Sequence, residues 1–148
     1  MDSLANIRVS TRDGQGDLSV VEMLVPSAHM PPLHVHDEDE TFVVVESRMT
    51  LFAGDQVIEA EAGDILVSPK GIPHTFRIES ETARQLVVTS SPRFEDFLRA
   101  VSRPAERPAL PPAADGPPSP EQAAAFTRAA AENGIEILGP PGMVPTDL

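Results

Sequence analysis

From Ile7 to about Glu81 the chain is a succession of short apolar runs broken by turn residues, at the spacing of an all-β sandwich or barrel. Residues 7–10 make a weak first strand and residues 18–25 a better one, joined through the turn Asp13-Gly14-Gln15-Gly16. Pro31 and Pro32 cannot donate to a ladder, so they mark the entry to the next strand rather than its middle. Residues 41–46 are β-branched and apolar, as a buried strand requires. Residues 48–52 and 56–60 flank Ala53-Gly54-Asp55, a hairpin signal. Strands over 65–68, 74–78 and 84–89 follow, separated by Gly- and Pro-containing turns.

Beyond Thr89 the pattern changes. Ser91-Pro92 reads as a helix N-cap followed by proline at the first helical position, and Phe94, Phe97, Leu98 and Val101 recur at helical spacing. A short amphipathic helix is therefore expected over 92–101. Residues 104–120 hold seven prolines and no apolar period, which reads as an extended linker. Ser119-Pro120-Glu121-Gln122 has the form of a capping box, and an alanine-rich helix should run from it to Glu132, ended by Asn133-Gly134. A short apolar run at 135–138 precedes Gly139-Pro140-Pro141-Gly142. The expected organisation is a β-barrel over 1–90 and an extension over 91–148 that packs on the barrel or on a partner subunit.

Composition narrows the chemistry. The 148 residues suffice for one domain with a real core. With no cysteine, disulfides, thiolate zinc sites and cysteine nucleophiles are excluded. A formal charge of −12 argues against nucleic acid and anionic membranes as partners. Tyrosine and tryptophan are absent, which removes phenol acid/base chemistry and indole stacking. With no apolar run of spanning length and no basic-then-apolar leader, a soluble cytoplasmic protein is expected.

Three of the four histidines fall in two stretches, Leu33-His34-Val35-His36-Asp37-Glu38-Asp39-Glu40 and Pro69-Lys70-Gly71-Ile72-Pro73-His74. Alternate residues of a strand share a face, so His34 and His36 point the same way, and Glu40 keeps their parity. His74 opens a later strand after a Pro/Gly turn. Burying three imidazoles and a carboxylate together without a cation leaves uncompensated polar groups, so metal binding is the expectation for this set. Asp37 and Asp39 read as a solvated acidic turn, Glu38 shares the histidine parity and rivals Glu40, and His29 reads as an ordinary surface or core residue.

These two stretches resemble the motifs of the cupins, small double-sheet jelly-roll barrels. The first cupin motif is a glycine, five residues, H-x-H, three or four residues, E, six residues and a glycine; here Ala28 and Ser47 stand at the glycine positions around His34, His36 and Glu40. The second, G-x5-P-x-G-x2-H-x3-N, reads Gly63, Pro69, Gly71, His74 and Ile78. The resemblance covers roughly residues 17–90. It implies a double-stranded β-helix, and it implies His34, His36, Glu40 and His74 as ligands, choosing Glu40 over Glu38. Ile78 in place of asparagine implies a more apolar pocket wall.

Three imidazole nitrogens and a carboxylate suit one divalent transition metal per chain: iron, nickel, cobalt, manganese or zinc. Such a centre is net positive and favours an enolate or other anionic oxygen, and Glu40 is the expected proton acceptor. By parity Phe42, Val44, Phe76 and Ile78 are candidates for an apolar pocket wall, while Arg77 points outward; Arg48 is the other nearby cation. The single-barrel H-x-H-x3-E pattern is similar to quercetin 2,3-dioxygenases, implying a dioxygenase acting with dioxygen on a small flavonol, enol or β-dicarbonyl substrate. A redox-neutral polyketide cyclase or isomerase is the alternative, and a non-catalytic small-molecule binder a third. A homodimer is expected, because pairing covers exposed sheet edges.

Overall fold

The computed structural model describes residues 3–14, 16–114 and 116–148; Gln15 of the first expected turn lies outside them, as do Met1, Asp2 and Asp115. Among the described residues two five-stranded antiparallel sheets face one another. One is built in the order β1 (Leu4–Val9), β2 (Ser19–Pro26), β9 (Thr82–Thr89), β4 (Glu40–Glu46) and β7 (Ile65–Ser68). The other runs β10 (Ile135–Gly139), β3 (Leu33–His36), β8 (His74–Ile78), β5 (Arg48–Ala53) and β6 (Gln56–Glu61). This is a jelly-roll sandwich, with strand ends within a few residues of those the sequence pattern predicts.

Alternation builds the core. In β2 and β9 every second residue is buried, placing Val21, Val25, Ala83 and Val87 inside with Phe42, Val44, Met49 and Leu51. At roughly 25 cal/mol per Å² of apolar area removed from water, this face supplies the main force for closure of the sandwich.

The C-terminal third forms a cap tied into the sandwich. Helix α1 (Arg93–Val101) packs on helix α2 (Pro120–Glu132), with Phe97 edge-on to Phe126 at 5.3 Å. The expected capping box is formed: Ser119 Oγ accepts from Gln122 N–H, and Gln122 Oε1 accepts from Ser119 N–H. At α1 the cap position is Pro92, one residue later than the sequence suggests, and Ser91 Oγ accepts from Arg93 N–H. The apolar run after α2 becomes β10, which pairs antiparallel with β3, Ile135 opposite His36 and Ile137 opposite His34. Phe97, Ala130 and Ile135 form the buried centre of this second, smaller cluster.

Candidate metal centre

The histidine strand and the strand opened by His74 lie side by side, and the ladder places His34 directly opposite His74. The loop before His74 is held against the histidine strand by Gly71 N–H donating to His36 carbonyl at 2.8 Å. Gly71 has φ 74°, a left-handed conformation that glycine adopts freely, so this tight turn uses the residue best suited to it. Glu40 reaches the same point from the opposite sheet, at the start of β4. The donor atoms of His34, His36, Glu40 and His74 all lie within 4.8 Å of one another. Glu40 Oε2 is 3.2 Å from His74 Nε2 and 3.6 Å from His36 Nε2, and Glu40 is 5% exposed.

The outer nitrogens fix the inner ones. His34 Nδ1 donates to Pro32 carbonyl, His36 Nδ1 to Glu38 carbonyl and His74 Nδ1 to Ile72 carbonyl, at 2.8–2.9 Å. A carbonyl only accepts, so each Nδ1 carries the proton and each Nε2 turns a lone pair to the centre. Three lone pairs aimed at a buried carboxylate are mutually repulsive until a cation sits among them. The donor set and its backbone supports therefore fit a divalent metal held by His34, His36, Glu40 and His74.

The electrostatics agree. Burial and the neighbouring His74 depress His34 to about 4, so it is neutral and ready to ligate at ordinary pH. Burial works against charge on His36, but the contact with the Glu40 carboxylate outweighs it and raises the group. Burial also acts to raise Glu40, and the close contacts with the His36 and His74 rings overcome that and hold it well below the usual carboxylate range. Glu38 has a different place: it is buried, is pushed up by that burial, and is in contact with Ser91 Oγ, away from the cluster. Its contact joins the turn after the histidine strand to the start of the cap. Asp37 and Asp39 are exposed, as the acidic-turn reading has it.

A cavity of about 90 Å³ opens beside the centre. His34, His36 and Glu40 form one end, and Phe42 and Phe76, 5.5 Å apart, narrow its middle. Met23, Val25, Gln85 and Val87 form the barrel wall; Phe94, Phe97, Phe126, Ile135 and Ile137 form the wall contributed by the cap. Of the four pocket candidates, Phe42 and Phe76 line this space. Val44 and Ile78 share the inward faces but lie in the sandwich core. Arg48 and Arg77 are exposed, Arg77 against Glu79 and the Phe52 ring. His29, set aside in the sequence, lines the cavity with its ring 6.0 Å from that of Phe76. Gln85 was not singled out either, though it stands in the inward row Ala83, Gln85, Val87, Thr89.

Two facing sheets with a buried three-histidine, one-glutamate cluster at one end make a jelly-roll sandwich with a donor set suited to a metal. Residues 20–89 match the family model described as cupin domain. Over 106 residues it is 29% identical to the quercetin 2,3-dioxygenase of Bacillus subtilis (strain 168), covering 71% of this chain and 32% of that one. The chain thus matches about a third of the length of that relative. Among solved structures, the polyketide cyclase RemF of Streptomyces resistomycificus is similar at 27% identity and a TM-score of 0.53, over 60% of this chain and 64% of that one. KdgF of Halomonas sp. shares the fold at 18% identity and a TM-score of 0.55, over 61% and 79% of the two chains. No helix among the described residues is long and apolar enough to cross a membrane.

Proposed function

We propose that the chain is a metal-dependent dioxygenase of the quercetinase-like type, acting on a small enol or β-dicarbonyl-like molecule. The observation that carries the reading is the convergence of three Nε2 lone pairs and the Glu40 carboxylate at the end of an apolar cavity. A divalent metal bound there would supply Lewis acidity toward an anionic substrate oxygen and chemistry with dioxygen. His34, His36 and His74 hold it, each oriented by its backbone carbonyl. Glu40, which lines the cavity, would serve both as ligand and as proton acceptor. Phe42 and Phe76 orient a flat substrate edge, and the cap residues exclude water.

The likeness to RemF favours a second reading, in which the same residues serve a redox-neutral cyclisation or isomerisation and Glu40 moves the proton. For the homodimer, support comes from the exposed Ile65 and Val67 on the edge strand β7.

Loading the purified protein in turn with iron, manganese, cobalt, nickel and zinc, and following oxygen uptake with β-dicarbonyls and hydroxypyrones, tests the proposal. Oxygen consumed in step with substrate, and a Glu40→Gln variant slowed about 10²-fold or more, is the expected result. Turnover without oxygen selects the cyclase reading; ligand binding without turnover under any metal selects a non-catalytic binder.

A further inference from the structure

Among the described residues that line the cavity, Gln85 has a side-chain oxygen with no hydrogen-bond partner. It is 1% exposed, in the inward row of β9 between the apolar Ala83 and Val87, and its Oε1 is buried with no hydrogen-bond partner. Leaving a buried amide oxygen unpaired destabilises a fold, whereas a methionine or leucine there packs without that penalty. Gln85 is also among the residues that line the cavity. Its position along the cavity is set by the ladder. Glu40 lies opposite Thr89 and Val44 opposite Gln85, four residues on, so Gln85 is about 13 Å along the strand from the level of the carboxylate. Between the two levels stand the rings of Phe42 and Phe76. The cavity therefore has a metal-binding end, an aromatic waist and a polar far end, where His29 also lies.

We propose that Gln85 reads the end of the substrate remote from the metal, selecting a molecule with a hydroxyl there. An amide presents a donor and an acceptor on one group, and a hydroxyl is the small function that answers both. This deepens the metal-centre reading and rests on it: the substrate carries an enolic or enolisable oxygen at one end, a flat apolar middle and a hydroxyl at the other. Gln85 acts in specificity and touches no reacting atom.

The probes are two 3-hydroxy-2-methyl-4-pyridinones that chelate metals through the same oxygen pair and differ only at the tip of an N-linked chain long enough to pass the waist: one bears a 3-hydroxypropyl group, the other a butyl group. Their binding to the zinc-loaded full chain is measured by calorimetry for the parent and for Gln85→Met, which keeps the shape and removes the amide. The parent should prefer the hydroxypropyl compound by about fivefold, the size of one neutral hydrogen bond. The variant should lose that preference while holding the butyl compound as the parent does. In the metal-free chain, Gln85→Met should raise the midpoint of thermal unfolding by a few degrees, because an unpaired polar group has gone.

A preference that survives in Gln85→Met overturns the proposal. So does a parent that binds both pyridinones equally, with the metal-centre reading left standing. A lowered unfolding midpoint also overturns it, since the amide is then structural. If the zinc-loaded parent binds neither pyridinone, the metal-centre reading fails first and takes this one with it.

Discussion

Ala28 shows how a single residue position is set by backbone rather than by side chain. It has φ 57°, the one non-glycine with positive φ among the described residues, and it stands where the cupin motif has glycine. A left-handed L-residue is disfavoured by roughly 1–2 kcal/mol, and the Ala28 methyl is exposed, so packing returns little of it. Ala28→Gly should therefore stabilise the protein by about 1 kcal/mol after the flexibility of glycine in the unfolded chain is subtracted, read from urea unfolding at constant m-value. A destabilised variant would show that the turn draws on the methyl after all. The other motif departure, Ser47, needs no left-handed backbone and carries no such strain. Strand parity made His34, His36, Glu40 and His74 legible as a cluster, because a two-residue period fixes the face. Parity is silent about depth, which is why Val44 and Ile78 share the right faces yet fall in the core while Phe42 and Phe76 reach the cavity. Gln85 had a signal, an amide in an otherwise apolar inward row.

At the scale of elements, helix α1 is fastened by a residue that its own periodicity leaves on the polar side. Glu95 is fully buried, and its carboxylate accepts from Ser10 Oγ, Thr11 N–H and Oγ1, and Arg99, at 2.7–3.1 Å. The helix is thereby bound to the turn after β1, about 85 residues away in sequence, a distance over which no local pattern announces a partner. Burial acts to raise Glu95, but these hydrogen bonds outweigh it and lower the group from 4.5 to about 2. A lowered folded value means stabilisation that is complete above the unfolded value of about 4.5 and lost as pH falls toward 2. Glu95→Gln should destabilise the protein by about 2–3 kcal/mol at neutral pH, since donors built for a carboxylate are left short of acceptor. Its stability should also change less than the parent's between pH 4.5 and 2, as urea unfolding across that window will show. Parallel acid curves for the two proteins would remove Glu95 from the account. Strand β10 escaped the sequence for a similar reason. The run Ile135–Leu138 was visible, but nothing in it names the histidine strand, a hundred residues earlier, as its neighbour.

At the scale of the whole molecule, the cavity belongs to neither part alone. The sandwich supplies the metal end and one wall, and the C-terminal cap supplies the wall of Phe94, Phe97, Phe126, Ile135 and Ile137. With the cap in place the space is about 90 Å³. That is below the roughly 300–1,000 Å³ of ordinary ligand pockets, and the cap's side chains take up room beside the sandwich. Phe126 is the natural place to test this, because it reaches the cavity from α2, is only half-buried, and contacts Phe97 rather than any of the metal-cluster residues. Phe126→Ala should leave binding of the small hydroxypyrone allomaltol to the zinc-loaded chain within about twofold. It should tighten binding of 3-hydroxyflavone, which carries the same chelating pair on a larger body, by about tenfold or 1.4 kcal/mol. The substitution should lower stability by about 2–3 kcal/mol through the second cluster, so binding is measured well below the unfolding midpoint. Equal gains for both ligands would mean that the cap acts as a general barrier to entry. No gain for the flavone would mean that the size limit lies at the Phe42–Phe76 waist, within the sandwich itself.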